Sequence, residues 1–140
     1  MSIETDRAWM AGIIDGEGTI IIGKDGYHYQ SKVSVCNTNT DTFTLFMEEY
    51  SGIITPYRKG INCKVLYVWC CPAANQQRII TDVIPYLKLK LNQANIMLEY
   101  LRGLLVLGRV STHNENSGES LKFRDESYRK LKELNHGGYY

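Results

Sequence analysis

The order of apolar and polar residues along this 140-residue chain predicts helices interleaved with pairs of strands. Apolar residues recur every three to four positions in the predicted helices and every second position in the predicted strands. A first helix has Thr5 or Asp6 as its N-terminal cap and ends at Gly16, and Pro72 opens a helix that runs through Val83. The other predicted helices are a short one within 37–52, one over 86–107 and one over 121–134, and the predicted strands are 19–23, 29–35, 53–57 and 64–70.

Alternation within the first two strands separates an inward face from an outward face. The element order, α-β-β-α-β-β-α with an extra C-terminal helix, favours an α+β domain whose antiparallel sheet is covered by helices on one face and open on the other. We expect one domain over 1–140, with its core over about 6–105 and a polar loop and helix over 111–140. The inward residues are Ile20, Ile22, Val33 and Val35, and the outward residues are Thr19, Ile21, Gln30, Lys32 and Ser34.

Composition narrows the classes of protein that remain. The cysteines at 36, 63, 70 and 71 form no CxxC pair, and no secretory leader precedes them, so reduced thiols are expected rather than zinc ligands or disulfides. No apolar run approaches the roughly 18 residues of a membrane span, so we expect a soluble, intracellular protein without a membrane partner. The net charge of +1 does not itself indicate nucleic-acid binding, but residues 24–90 carry eight Lys or Arg against five acids.

The stretch AWMAGIIDGEGTI, residues 8–20, combines small residues at helical spacing with two acids. Ala8, Gly12 and Gly16 fall on one stripe of the first helix, where another helix backbone can approach closely. The stripe has two interpretations: a seam between two copies of the chain, or a buried helix packed against another helix of the same chain. The residues that flank the stripe and can cover the chain's own sheet are Trp9, Met10, Ile13 and Ile14.

Glu17 lies at the C-terminal end of this helix, where the helix dipole does not favour a carboxylate. Two such helices packed about a twofold axis would bring two copies of Glu17 together, and these repel unless cations lie between them. The pattern therefore indicates a divalent-metal site with backbone carbonyls of the flanking glycines as further oxygen ligands. For Asp15 a structural role is favoured, in which it bonds unpaired backbone groups or the partner helix.

Residues 10–18, MAGIIDGEG, resemble the nine-residue signature of the LAGLIDADG homing endonucleases, with Glu17 at the position of the catalytic acid. PYLKLKLNQA, residues 85–94, is similar to the lysine-bearing segment before the third long helix of that family. The element order agrees as well, so the resemblance extends over roughly residues 6–105. Because the signature occurs once, the resemblance implies a homodimer.

The resemblance implies a site-specific endonuclease that makes a staggered double-strand break in a long, nearly palindromic DNA target. Mg²⁺ is the implied metal, Mn²⁺ is expected to substitute, Ca²⁺ is expected to support binding without cleavage, and no small-molecule cofactor is expected. Glu17 and the Gly16 carbonyl are the implied metal ligands. The implied catalytic residues are Glu17, Asn37 and Lys90.

Alternatives remain for both residues and function. Asn39 is the rival of Asn37, and Lys88 is the rival of Lys90. Two other functions are an RNA maturase that assists splicing of a host intron and a DNA-binding regulator of the same fold that does not cleave. The expected DNA-binding residues are Lys24, Gln30, Lys32, Ser34, Arg58, Lys59 and Lys64, and the expected dimer contacts are Ala8, Ala11, Gly12 and Asp15.

Overall fold

An antiparallel sheet of four strands carries helices on one face in the structure, a computed structural model that describes residues 2–58, 60–107 and 117–137. The predicted α+β class, with its antiparallel sheet and added C-terminal helix, is confirmed. The strands are β1 (Gly18–Asp25), β2 (His28–Asn37), β3 (Ile53–Tyr57) and β4 (Leu66–Cys70), in the sheet order β1-β2-β4-β3. The helices are α1 (Ile3–Glu17), α2 (Thr44–Tyr50), α3 (Ala73–Val83), α4 (Leu91–Leu107) and α5 (Ser117–Gly137), with short 3₁₀ helices at Thr40–Phe43 and Ile84–Tyr86.

The helix α1 begins earlier than the sequence predicted. The Ser2 hydroxyl accepts a hydrogen bond from the Thr5 backbone N–H at 3.1 Å, so Ser2 is the N-terminal cap instead of Thr5 or Asp6. Serine is among the preferred residues at this position because its oxygen satisfies an otherwise unpaired N–H. At its other end α1 includes Glu17, one residue beyond the predicted Gly16.

The strands β1 and β2 form a hairpin whose register sets the two faces of the sheet. Ile20 pairs with Val33, and Ile21 pairs with Lys32. Gln30 and Lys32 are exposed on the open face, as alternation predicted. The predicted inward residues are each at most 5% exposed and belong to the core, namely Ile20, Ile22, Val33 and Val35.

Ser34 departs from the expected outward surface. It lies on the open face by alternation, but it is only 2% exposed. Its position in β2 is in register with Thr19 of β1 on one side and Cys70 of β4 on the other. A side chain as short as serine keeps little surface between two paired strands, so the expected contact of Ser34 with DNA does not hold for this arrangement.

The helix α5 begins at Ser117, before the predicted Leu121, and packs against α4 and β1. Lys24 follows Ile20 and Ile22 on the helical face, where its Nζ lies 2.9 Å from Asp125 Oδ1 of α5. This hydrogen bond raises the pKa of Lys24 and lowers the pKa of Asp125 relative to their ordinary values. Lys24 is therefore engaged on the face opposite to the one expected to bind DNA, and this arrangement gives no support to its predicted contact with the DNA backbone.

The second hairpin is shorter than predicted. The strand β4 begins at Leu66 rather than Lys64, so Lys64 lies in the connection that follows β3. Gly52 precedes β3 with a φ of +117°, and a Cβ there would lie 2.5 Å from the Cys70 carbonyl oxygen. Glycine thus permits both the backbone angle and the close approach of β3 to β4. Pro72 is the residue before α3 rather than its first helical residue.

Aromatic side chains fill the space between the sheet and the helices. Trp69 of β4 is fully buried, and its ring centroid lies 4.9 Å from that of Phe46. Its Nε1 donates to the Ser51 carbonyl oxygen at 2.8 Å, which joins β4 to the end of α2. Tyr50 donates its hydroxyl to Asp82 of α3 at 2.7 Å, and burial raises the pKa of Tyr50 well above its ordinary value. Within the described segments no helix has both the length and the apolar character needed to cross a membrane.

Candidate functional site

The C-terminal end of α1 brings Glu17 next to Asn37. Asn37 Nδ2 donates to Glu17 Oε2 at 2.5 Å, and the Glu17 carboxylate is on the surface. The two meet because β1 starts directly after α1 and pairs antiparallel with β2, with Gly18 in register with Val35. Asn37, two positions beyond Val35 at the end of β2, therefore lies beside the last turn of the helix. One of the two carboxylate oxygens is thus oriented by an amide.

Asn37 and Asn39 have different partners. The Asn37 Oδ1 accepts the Asn39 backbone N–H at 2.8 Å, which fixes the orientation of the Asn37 amide so that Nδ2 faces Glu17. The Asn39 Oδ1 accepts the Asp41 backbone N–H at 3.0 Å and caps the following 3₁₀ helix. Of the two asparagines, the structure places Asn37 against Glu17 and gives Asn39 the capping role.

Asp15 binds the segment that precedes α4 in its own chain. Its carboxylate accepts the backbone N–H groups of Lys88, Leu89 and Lys90 at 2.7, 3.1 and 3.0 Å. Three successive N–H groups that converge on one anion form a nest of fixed partial positive charge. The expected role in bonding unpaired backbone groups is what the geometry shows, whereas the expected dimer contact of Asp15 gives way to this contact within the chain.

This contact also explains why residues 87–90 are not helical. Apolar spacing predicted a helix over 86–107, but α4 begins at Leu91. The N–H groups of Lys88, Leu89 and Lys90 are directed at Asp15, across the fold, instead of along a helix axis. The periodicity is correct, and a tertiary hydrogen-bond cluster overrides it locally.

Lys90 reaches the same end of α1 with its side chain. Its Nζ donates to the Asp15 carbonyl oxygen at 2.7 Å, and its side chain is partly buried. The carbonyl groups of the last helical turn lack partners inside the helix and carry partial negative charge, so an ammonium is favourable there. Lys88 joins the cluster through its backbone N–H, and its residue is exposed. The predicted trio therefore lies around the last turn of α1, with Asn37 bonded to Glu17 and Lys90 bonded to Asp15.

The donor set at this place consists of hard oxygen atoms, which suit Mg²⁺ or Ca²⁺ better than a softer metal. It includes the Glu17 carboxylate and, next to it in the chain, the carbonyl of the exposed Gly16. Within the described residues, no group of three or more His, Cys, Asp or Glu side chains could hold a metal ion. The Glu17 carboxylate and the Gly16 carbonyl fit a hard divalent cation.

The small-residue stripe of α1 faces away from the rest of its chain. Ala8, Gly12 and Gly16 are exposed, and a Cβ built on Gly12 or Gly16 would meet no atom within 4 Å. The interpretation as a helix buried by another helix of the same chain is therefore wrong for this stripe. Ala11, like Asp15, departs from the expected dimer contacts, since it is 0% exposed and belongs to the core. A residue without exposed surface offers nothing to a second chain.

The other polar residues predicted to bind DNA lie on the open face or in the connection beside it. Gln30 and Lys32 lie along β2 on the open face, whereas Arg58 follows β3 and Lys64 lies in the connection to β4; all four are exposed. His28 is exposed on the same face, two positions before Gln30, and the alternation that identified Gln30 could have identified it too. Lys59 lies outside the described residues.

Comparison with solved structures identifies the architecture. The homing endonuclease I-CvuI, in complex with the I-CreI target in the presence of Mg with the DNA not cleaved, superposes with a TM-score of 0.73 and 21% identity over 99% of this chain and 87% of that chain. The chain has the LAGLIDADG homing endonuclease fold. The archaeal intron-encoded homing endonuclease I-Vdi141I, complexed with DNA, gives a TM-score of 0.64 and 12% identity over 96% of this chain and 99% of that one.

A longer protein shares the LAGLIDADG fold. The meganuclease I-SmaMI, bound to uncleaveable DNA, matches with a TM-score of 0.60 and 16% identity over 94% of this chain but only 43% of that chain. Comparison of the sequence with models of protein families and with curated proteins gives no match. In this chain, residues 10–18 occupy the second half of α1 and the first residue of β1. The signature-like segment therefore contains both Glu17, the partner of Asn37, and Asp15, the partner of Lys90.

Proposed function

We propose that this protein is a homodimeric, divalent-metal-dependent endonuclease that makes a staggered double-strand break in a long, nearly palindromic DNA site. The observation that carries the proposal is the arrangement at the end of α1, where Asn37 bonds Glu17 and Lys90 bonds the Asp15 carbonyl, beside an uncovered stripe of small residues. The similar proteins I-CvuI and I-Vdi141I are homing endonucleases in complexes with DNA. Their likeness to this chain supports DNA as its partner.

Glu17 and the Gly16 carbonyl would hold Mg²⁺ in the proposed site. The metal, when bound, activates water and offsets charge on the phosphate. Asn37 donates its amide N–H to the Glu17 carboxylate and so restricts the rotamers of the side chain that would hold the ion. Lys90 would place its ammonium near the scissile phosphate, where it stabilises the negative charge that develops during cleavage. Complexes of I-CvuI with Mg and with Ca support the choice of divalent ion.

A second copy of the chain completes the proposed site. Each chain brings one Glu17 to the end of α1, where the Asp15 carboxylate is already bound to backbone N–H groups. Packing of two α1 helices along Ala8, Gly12 and Gly16 would bring a second Glu17 beside the first. A closed twofold dimer uses the same patch on both chains, so one stripe per chain is sufficient. Each chain would then cut one strand of the duplex, which gives the double-strand break.

The open sheet face is proposed to lie along the major groove of DNA. A strand pair fits this groove and directs alternate side chains at base edges and phosphates. The proposed contacts on each protomer are Gln30, Lys32, Arg58, Lys59 and Lys64. Because both protomers offer the same face, the preferred target has nearly the same sequence on either side of the cut.

The direct test incubates the wild-type protein with Mg²⁺ and a randomised duplex DNA library, followed by sequencing of the cut ends. We expect ends that share a long, nearly palindromic sequence with a fixed stagger, and equal or lower cleavage in Mn²⁺. A protein that binds DNA in either metal without cutting would be a regulator instead of a nuclease. Tight binding of RNA without cleavage of DNA would instead indicate that the protein is an RNA maturase.

Replacing Lys32 or Lys64 by Ala should weaken DNA binding. A lysine that contacts phosphate contributes through counterion release, so its loss should reduce the slope of log K against log salt by about 1. A lysine that contacts a base edge should instead relax specificity at one position of the site. Fluorescence anisotropy at several salt concentrations measures both effects. Lys122→Ala is the matched control, because Lys122 is exposed on α5, on the helical side of the sheet. If all three variants bind DNA with equal affinity, the proposed DNA-binding surface that includes Lys32 and Lys64 is wrong.

A further inference from the structure

We infer that Asp15 is a positioning residue for DNA cleavage, which acts by holding Lys90 at the end of α1. The inference rests on the proposed function. Asp15 forms two hydrogen bonds with Lys90. The Asp15 carboxylate accepts the Lys90 backbone N–H at 3.0 Å, and the Asp15 carbonyl oxygen accepts Lys90 Nζ at 2.7 Å. The two contacts fix both ends of the lysine side chain to a single residue, two positions before Glu17.

The start of α4 shows that this arrangement is more than an ordinary helix cap. Lys90 is the last residue before α4, and its carbonyl oxygen accepts the Ala94 N–H at 2.9 Å. This position favours Ser, Thr, Asp or Asn, whose oxygens cap the first turn, and the helix dipole disfavours a cation there. Lysine at this place is therefore unfavourable for α4 itself. Its ammonium lies at the C-terminal end of α1, where the dipole has the opposite sign and favours it.

The Asp15 carboxylate accepts hydrogen bonds from the segment before α4, which the Lys90 side chain cannot do because it has no acceptor. It accepts the N–H groups of Lys88, Leu89 and Lys90, and hydrogen bonds from backbone N–H groups to an ionised carboxylate are stronger than bonds between neutral groups. The segment 88–90 is thereby held against α1, and the lysine that it carries is held with it. Without the carboxylate, the N–H groups of this segment lose their anion, and Lys90 keeps only the bond from its ammonium to the backbone carbonyl of residue 15, so its position at the end of α1 is less firmly fixed.

A double-mutant cycle tests whether Asp15 acts through Lys90. Asp15→Asn, which removes the charge and nearly preserves the shape, should lower the single-turnover cleavage rate by about 10- to 100-fold, and Lys90→Ala should lower it at least as much. In the double variant the rate should equal that of Lys90→Ala alone, because a lysine that is absent cannot be misplaced. DNA affinity should change by less than about 3-fold in each variant, which separates positioning of a side chain from loss of the DNA surface.

Asp82→Asn is the matched control. It makes the same change of charge at a partly buried carboxylate that also accepts a hydrogen bond within the chain, from the Tyr50 hydroxyl. Asp82 contacts Arg7, in the first half of α1, whereas Asp15 lies in its last turn. The control should lower the free energy of unfolding without slowing cleavage once the protein is folded.

Hydrogen exchange supplies a readout that does not depend on cleavage. The amides of Lys88, Leu89 and Lys90 should exchange slowly in the wild type and faster in Asp15→Asn, with no such change in Asp82→Asn. If Asp15→Asn does not fold, the cycle is run with Asp15→Glu, which keeps the charge on a side chain that is one methylene longer.

The outcomes separate this inference from the proposed function. Suppose that the wild type cuts DNA and that the cleavage rate of the double variant is reduced by the product of the two single reductions. This result would show that Asp15 does not act through Lys90, and it would overturn the inference alone. Unchanged exchange at residues 88–90 in Asp15→Asn would overturn it as well. A wild type that never cuts DNA would overturn the proposed function and this inference with it.

Discussion

Glu17→Gln should reduce the single-turnover rate of DNA cleavage by at least about 1,000-fold, because it removes the charge that holds the metal. The amide has nearly the shape of the carboxylate, and its oxygen can still accept the hydrogen bond that Asn37 Nδ2 gives to Glu17. Glu17 is exposed and lies outside the core, so folding should survive the change. Loss of two neighbouring negative charges at the dimer seam should leave dimerisation intact or strengthen it.

Binding and cleavage should separate in this variant. DNA affinity should be retained or should increase, because the carboxylate no longer repels the phosphate backbone. Ca²⁺ should reproduce the same separation in the wild type, with DNA bound and little or no cutting, since its longer bonds and looser geometry differ from those of Mg²⁺. Single-turnover cleavage and anisotropy titrations, run side by side, measure the two properties.

Glu48→Gln is the control for this change. Glu48 is an exposed glutamate of α2, so the variant makes the same substitution away from the end of α1. Its cleavage rate should equal that of the wild type. Glu17→Gln that cuts DNA at the wild-type rate would contradict the mechanism, even if the wild type proved to be a nuclease.

The local sequence pattern was sufficient to predict the elements whose structure depends on short-range interactions. The alternation of Ile20 and Ile22 and the turn after β1 predicted the hairpin and its buried face, and the apolar spacing of α1 predicted Met10 and Ile14 as core residues. These signals work because side-chain direction in a strand or helix depends on position within that element alone. The resemblance, and not the pattern, pointed to Asn37 and Lys90.

Tertiary contacts account for the predictions that failed. Periodicity could not show that the carboxylate of Asp15 would interrupt the helix at 87–90, because the two segments are more than 70 residues apart. It could not show that Asp125 of α5 would bind Lys24 on the helical face, nor that two paired strands would cover Ser34. In each case the partner comes from a distant part of the chain, and spacing within one segment carries no information about it.

Gly12→Leu should separate the proposed dimer while leaving the fold of each chain unchanged. Gly12 is exposed in the middle of α1, and a Cβ there would meet no atom within 4 Å. Within one chain the leucine side chain therefore has room, and it favours helix more than glycine does by roughly 1 kcal/mol. In the proposed dimer the two α1 backbones approach closely at this residue, and the added side chains would force them apart.

The expected loss of affinity between protomers follows from overpacking at a twofold axis. Each introduced side chain costs about 1–3 kcal/mol in a well-packed contact, and the twofold axis places two of them at the seam, for a total of about 2–6 kcal/mol. This corresponds to a roughly 30- to 20,000-fold weaker dimer. Cleavage should be lost together with the dimer, since one chain brings only one Glu17 to the proposed site.

Sedimentation equilibrium at micromolar concentration, with circular dichroism to verify the fold, measures the effect. Gly118→Leu is the matched control, because Gly118 is also an exposed helical glycine whose added Cβ would meet no atom within 4 Å, but it lies in α5, away from the seam. The control should sediment and cut DNA as the wild type does. A wild type that is wholly monomeric, or a Gly12→Leu variant that remains a dimer, would place the contact between chains somewhere other than the stripe formed by Ala8, Gly12 and Gly16.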